Sequence, residues 1–278
     1  MLFFAAFLLT ALPAGAQIAR PQLGYVVDTS GVLRPVFGVA AAATLGDAAL
    51  ENTISFACSA HICMAKTDAA LISFAPGVSG SGPSSRQSVA APPGPTILAI
   101  GGGGAWIYFQ ASQQVARWHD GVLDAPLGDF APGDFASGAE ILSLRATADG
   151  FDYAITRDRS GSHAGNIWIE HYSASDGSIV TIDSLTPASA VMLVDGGVLM
   201  SLPDQLVLRR SDGQQLTFPL VGAKTFHAAG KGYVEIVAPS GLWVLRTDAG
   251  HEQLSMLPGD SQGTTPGAIT RAAPGVRQ

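Results

Sequence analysis

Short runs rich in Val, Ile, Leu, Tyr, Phe and Trp recur beyond residue 20, set apart by Gly, Asp and Pro, and no stretch sustains a 3.6-residue apolar period. This pattern predicts an all-β chain. Residues 40–50 form the one alanine-rich stretch with the composition of a helical turn, and Gly46-Asp47 interrupts it. Strand-like segments that open after a Gly or a turn begin near Tyr25, His61, Ala105, Phe151, Val198 and Tyr233. Each is followed by a further strand, near Val32, Ala69, Gln113, Ile167, Gln205 and Leu242. Five of the six are also preceded by an apolar run, at 54–57, 96–100, 141–145, 191–194 and 225–229; the segment at Tyr25 has none.

A spacing of roughly 35 to 50 residues with about four strands per unit predicts propeller blades, because a four-stranded sheet of this kind buries its faces only against its neighbours. Six units fit into residues 21–272, with 273–278 left as a disordered tail. The first unit lacks its inner strand, and the segment 267–271 (GAITR) is free to supply it. The expected fold is therefore a single six-bladed β-propeller closed by pairing of its N- and C-terminal strands. The rivals are a β-sandwich and an incomplete five-bladed ring. Asp149-Gly150, Asp176-Gly177, Asp195-Gly196 and Asp212-Gly213 supply turns between the apolar runs.

Two segments, Gly165-Asn166-Ile167-Trp168-Ile169 and Gly241-Leu242-Trp243-Val244, resemble the G-N-[IL]-W-[IV] strand openings of secreted propeller repeats of the two-component-regulator and streptogramin-lyase-like families. Ala105-Trp106-Ile107 after Gly104 is a looser echo. The resemblance implies a propeller with an aromatic residue packed on the blade face. No His or acid of this chain aligns with the catalytic residues of the lyase, so its activity does not carry over.

Composition narrows the function. Only 13% of the 278 residues are charged, 47% are apolar and the formal net charge is −7, so a large core is available and a basic stripe for nucleic acid is not. Residues 2–12 form an apolar run broken only by Thr10, followed by Pro13 and Ala14-Gly15-Ala16; no charge precedes Arg20. The expectation is a signal peptide over 1–16, too short for a membrane span, and a periplasmic or secreted protein without a transmembrane anchor. A buried apolar helix or strand is the alternative for this run. The two cysteines, Cys58 and Cys63, face one another if Ala60-His61 is a two-residue hairpin turn, which predicts a cross-strand disulfide in an oxidising compartment. A free buried pair is the next reading; a metal site would need more ligands than nearby His61 offers.

No motif is assigned to catalysis. Gly101 to Gly104 opens a strand rather than the helix a dinucleotide loop needs, no G-K-[ST] occurs, and Gly77-Val78-Ser79-Gly80-Ser81 ends in Ser where a nucleophile elbow needs Gly. The six His residues have no H-x-H or H-E-x-x-H spacing, so neither metal nor cofactor is expected. Ser175-Asp176-Gly177 and Ser211-Asp212-Gly213 match only part of a sialidase Asp-box. The inner strands offer Glu140, Arg145 and His227 as polar groups that could face the channel, with Ser143 as a weak donor, in an otherwise apolar lining. A longer loop gathers Arg157, Asp158, Arg159 and His163, where arginine could engage a carboxylate or sulfate. These seven residues are the candidate ligand-binding set, and no catalytic residue is assigned. The expected function is that of an exported, monomeric binding or scaffolding module for a protein or small molecule. A propeller-type lyase, lactonase or glycosidase with a site assembled from several blades is the alternative, and a structural subunit of an envelope assembly is the third possibility.

Overall fold

The computed structural model describes residues 21–39, 42–77, 84–101, 103–128, 130, 139–156 and 166–258. Among them are 23 strands in six antiparallel sheets, and no helix, so none is long and apolar enough to cross a membrane. The first sheet holds β1 (Gln22–Val27), β2 (Leu33–Val39) and β3 (Ala42–Leu45); the second holds β4 (Ser55–Cys58), β5 (Cys63–Lys66), β6 (Ala70–Ala75) and β7 (Ser84–Ala90). In the third are β8 (Thr96–Gly101), β9 (Gly104–Phe109), β10 (Gln114–His119) and β11 (Val122–Leu123), and in the fourth β12 (Glu140–Ala146), β13 (Gly150–Thr156), β14 (Ile167–Ser173) and β15 (Ile179–Leu185). The fifth comprises β16 (Ala190–Val194), β17 (Gly197–Ser201), β18 (Leu206–Arg210) and β19 (Gln215–Phe218), and the sixth β20 (Thr225–Gly230), β21 (Tyr233–Ala238), β22 (Gly241–Arg246) and β23 (Gln253–Met256). Strands follow one another in sequence order across every sheet, as in the blades of a propeller.

Six apolar cores lie between neighbouring sheets and close the ring. Met64 and Leu71 of the second blade meet Ile107 and Trp118 of the third; Trp106 and Tyr108 of the third meet Phe151 and Tyr153 of the fourth. Further round, Ile169 packs with Val198, and Leu199 with Ile236. The first sheet completes the circle, since Tyr25 packs with Phe56 and Phe74 on one side, and Val26 and Val36 pack with Val244 and Leu257 on the other. Burying a side chain of this size stabilises by about 1.5–3 kcal/mol. Because both faces of a blade are covered, its second strand is apolar almost without alternation: β9 and β13 are buried from end to end, while the peripheral β15 is mostly exposed.

The inner strands β4, β8, β12, β16 and β20 touch in that order, and β20 packs directly on β4. Among the described residues no strand of the first sheet joins this inner wall: β1 packs against β20 and β21. Hydroxyl groups stitch the inner strands together, with Ser55 Oγ accepting the Thr96 N–H at 3.1 Å and Ser143 Oγ accepting the Leu193 N–H at 2.9 Å. The segment 267–271, expected to close the ring, lies outside the described residues, as do the signal-peptide segment 1–16 and the tail 273–278.

Two local expectations meet the structure differently. Residues 42–45 of the alanine-rich stretch form the strand β3, paired with β2 from Val36↔Leu45 to Val39↔Ala42, so tertiary pairing overrides the helical leaning of alanine there. Cys58 and Cys63 are cross-strand partners and form a disulfide, with Ser59 N–H bonded to Ile62 O across the Ala60-His61 turn. The disulfide and the lack of a membrane-spanning helix among the described residues are compatible with an extracellular or periplasmic protein. Replacing both cysteines by serine is expected to cost about 2 kcal/mol, because the closed loop is short. Urea unfolding of the double variant beside the parent measures it; an unchanged midpoint would contradict the expectation.

Candidate functional site

An innermost strand is an edge strand, so its side chains point to the two faces of its own blade and its rim faces the channel. The groups that reach the channel therefore come from the ends of the inner strands and from the residues leading into them. At those ends lies a cavity of about 320 Å³ lined by all five inner strands. Ile54, Pro95, Glu140, Lys224 and Thr225, which line it, are exposed, so it opens to solvent on the side where the inner strands begin.

One wall carries an oriented histidine. His227 on β20 and Glu235 on β21 are direct cross-strand partners, and His227 Nδ1 lies 2.7 Å from Glu235 Oε2. Glu235 is 0% exposed, and its other oxygen, Oε1, accepts the Val27 N–H at 2.9 Å. A buried carboxylate needs such donors. It can only accept, so Nδ1 carries the ring proton and Nε2 is the nitrogen left for another partner. The imidazole also lies against Phe56, with ring centroids 4.9 Å apart. Glu235 thus joins three blades at one point: it ties the first sheet to the sixth and fixes a histidine that packs on the second.

Charges sit at the mouth. Glu140 opens β12 and Lys224 directly precedes β20; among the described residues neither makes an ion pair. The Glu140 charge is felt by Tyr108, whose hydroxyl is pushed up to about 12 by burial and, to a lesser degree, by that carboxylate. The wall hydroxyls are differently employed. Ser55 and Ser143 bridge inner strands, and Ser189 Oγ bonds the carbonyl and hydroxyl of Ser201 at 3.1 and 3.0 Å. The cavity is therefore more polar than the inner-strand sequences suggest: three of its serine hydroxyls are engaged, and Thr96 Oγ1 is buried without a partner among the described residues.

The sequence candidates separate accordingly. Glu140 and His227 share the cavity. Arg145 lies toward the other end of β12, where its Nε and Nη2 bond Asp152 Oδ2 at 3.1 and 2.5 Å and its Nη1 bonds Val194 O at 2.9 Å. His171 Nδ1 meets the other oxygen of Asp152 at 2.8 Å, so the acid joins three strands of one network. Arg157, Asp158, Arg159 and His163 lie outside the described residues. A second cavity of about 310 Å³ lies between the third and fourth blades, lined by Trp106, Arg117, Asp149 and Ser175 among others; Arg117 covers the Trp106 ring at 5.7 Å. Among the described residues no group of three or more His, Cys, Asp or Glu could hold a metal ion.

Sequence reasoning missed Glu235, Lys224 and Phe56. Part of the signal for Glu235 was present, a lone acid inside the apolar run Tyr233-Val234-Glu235-Ile236-Val237; the Lys231-Gly232 turn alone would set it opposite Ala228, and a bulge between Ala228 and Gly230 shifts it to His227. Lys224 left no such signal, because it stands just before its strand.

No family model and no curated protein matches the sequence. Among solved structures, the chain is similar to one from a nidogen/laminin complex, with a TM-score of 0.54 and 9% identity over 84% of this chain and 93% of that one. It is also similar to a putative 6-phosphogluconolactonase from Bacteroides fragilis, with a TM-score of 0.47 and 11% identity over 86% and 94%. At 9% identity the likeness to the first of these speaks for the fold alone. The likeness to secreted propeller repeats read from Gly165 to Ile169 and Gly241 to Val244 is accordingly supported as a likeness of fold. What the chain shares with a protein of known structure is the β-propeller fold.

Proposed function

We propose that the protein is an exported binding module, without catalysis of its own, whose ligand is a small molecule seated in the channel mouth. The observation that carries this reading is the five-walled cavity of about 320 Å³, a size suited to a small ligand. Of its wall hydroxyls, those of Ser55, Ser143 and Ser189 are engaged in hydrogen bonds with neighbouring strands. The N-terminal apolar run and the Cys58–Cys63 disulfide support export.

The test is a thermal-shift screen of the mature protein against neutral sugars, simple carboxylates, amino acids and dipeptides, repeated on Ala190→Phe, which fills the channel. A true ligand at a hundred times its Kd is expected to stabilise the parent by about 2.7 kcal/mol. The shift should vanish in the filled variant. If no compound shifts the parent, or if the shift survives in Ala190→Phe, the channel is not the site.

One observation favours a second reading, that of a propeller-type enzyme. A histidine held by a buried carboxylate, with Nε2 left free, is the arrangement that proton transfer uses. Such an enzyme would require a ligand proton within reach of that nitrogen.

A further inference from the structure

We infer that the channel ligand is a short free peptide, bound through both of its charged ends; this rests on the channel being the binding site. Charge is scarce in this chain, and most arginines of the described residues are matched to an acid: Arg34 to Asp28, Arg145 to Asp152, Arg209 to Asp183, Arg210 to Glu252 and Arg246 to Asp248. Glu140 and Lys224 are left without such a match although they line the same cavity. The order of the inner strands explains why they do not pair with each other. Between β12 and β20 stands β16 on one side of the ring, and β8 and β4 stand on the other, so the two charges occupy opposite walls.

Unlike charges held apart across a cavity are complementary to a ligand carrying the reverse polarity. An ammonium group at one end would face Glu140 and a carboxylate at the other would face Lys224. Between them the neutral His227 ring offers Nε2 as an acceptor, because Nδ1 donates to Glu235. A peptide N–H is a donor of the right kind for that nitrogen, whereas a fully ionised dicarboxylate offers none. Partly buried Ile97, Leu142, Met192 and Phe226, also in the lining, supply apolar surface for a side chain. The volume confines the ligand to a few residues, so a long polymer is not accommodated.

The free dipeptides are screened by thermal shift on the mature full-length protein, and the best binder is then titrated by calorimetry together with its N-acetyl and C-terminal amide forms. Each cap is expected to weaken binding by about tenfold or more. In Glu140→Gln the N-acetyl penalty should disappear while the amide penalty stays, and in Lys224→Met the reverse should hold. Capped and free forms binding equally well would overturn the inference, and so would failure of every dipeptide to bind. A sugar or simple carboxylate that stabilises the parent but not Ala190→Phe, with no dipeptide doing so, would overturn the peptide while leaving the channel as the binding site. A dipeptide that binds Ala190→Phe as well as the parent would overturn both.

Discussion

Replacing Gly150 by alanine is expected to destabilise the protein by about 3 kcal/mol or more, and to lower its Tm by roughly 10 °C. Gly150 opens β13, and a Cβ there would lie closer than 3.0 Å to the carbonyl oxygen of Tyr172 on β14. The obstacle is backbone in the middle of a four-stranded sheet, so a rotamer change cannot relieve it. Gly104 and Gly197 hold the same place in their blades, and each would meet a third-strand carbonyl, that of Trp118 or of Arg209. Gly177→Ala is the control. Its φ of +70° carries only the left-handed strain of about 1–2 kcal/mol, and nothing lies within 4 Å of the added carbon. Urea or thermal unfolding of the two variants compares them directly. Equal losses would show that the sheet yields at Gly150 and that close approach of backbone is not what the glycine serves.

Glu235→Ala is expected to cost about 3 kcal/mol, because it removes two hydrogen bonds to a charged acceptor and strands the Val27 N–H. His227 can still turn to the channel water, which keeps the loss below that of a fully enclosed charge. Glu235→Gln preserves the shape, and its amide oxygen can still accept from Val27, so a loss of about 1 kcal/mol is expected. That variant has a second use. Its amide NH₂ would donate to His227 Nδ1 and move the ring proton to Nε2, turning the acceptor that faces the cavity into a donor. A ligand that donates to Nε2 should then bind more weakly although stability is nearly unchanged, and any general-base activity should be lost. Equal stability of the parent and the alanine variant would mean that the acid does not secure the first sheet.

Much of the architecture was legible because each blade repeats one physical requirement. The strands near Phe151, Val198 and Tyr233 were found by the glycine that precedes them, and at Gly150 and Gly197 that glycine is required by the carbonyl it faces. Cys58 and Cys63 were legible for a similar reason, since a two-residue turn leaves a single register. The lack of an apolar run before Tyr25 matches a first sheet that holds three strands among the described residues. The site was less legible. Arg145 and His227 both occur on inner strands, yet each is bonded to an acid on the neighbouring strand, Asp152 or Glu235, and what each faces depends on where along the strand that acid stands. Lys224 and Ser189 reach the cavity from connecting segments, where no periodicity marks them.

The withdrawal of β1 from the inner wall separates two quantities that a propeller ordinarily keeps together. The outer circumference is that of six blades, whereas among the described residues the bore is set by five strands, because β20 meets β4 directly. The passage is therefore narrower than the number of blades alone would give. A tighter aperture brings opposing walls within reach of one compact guest.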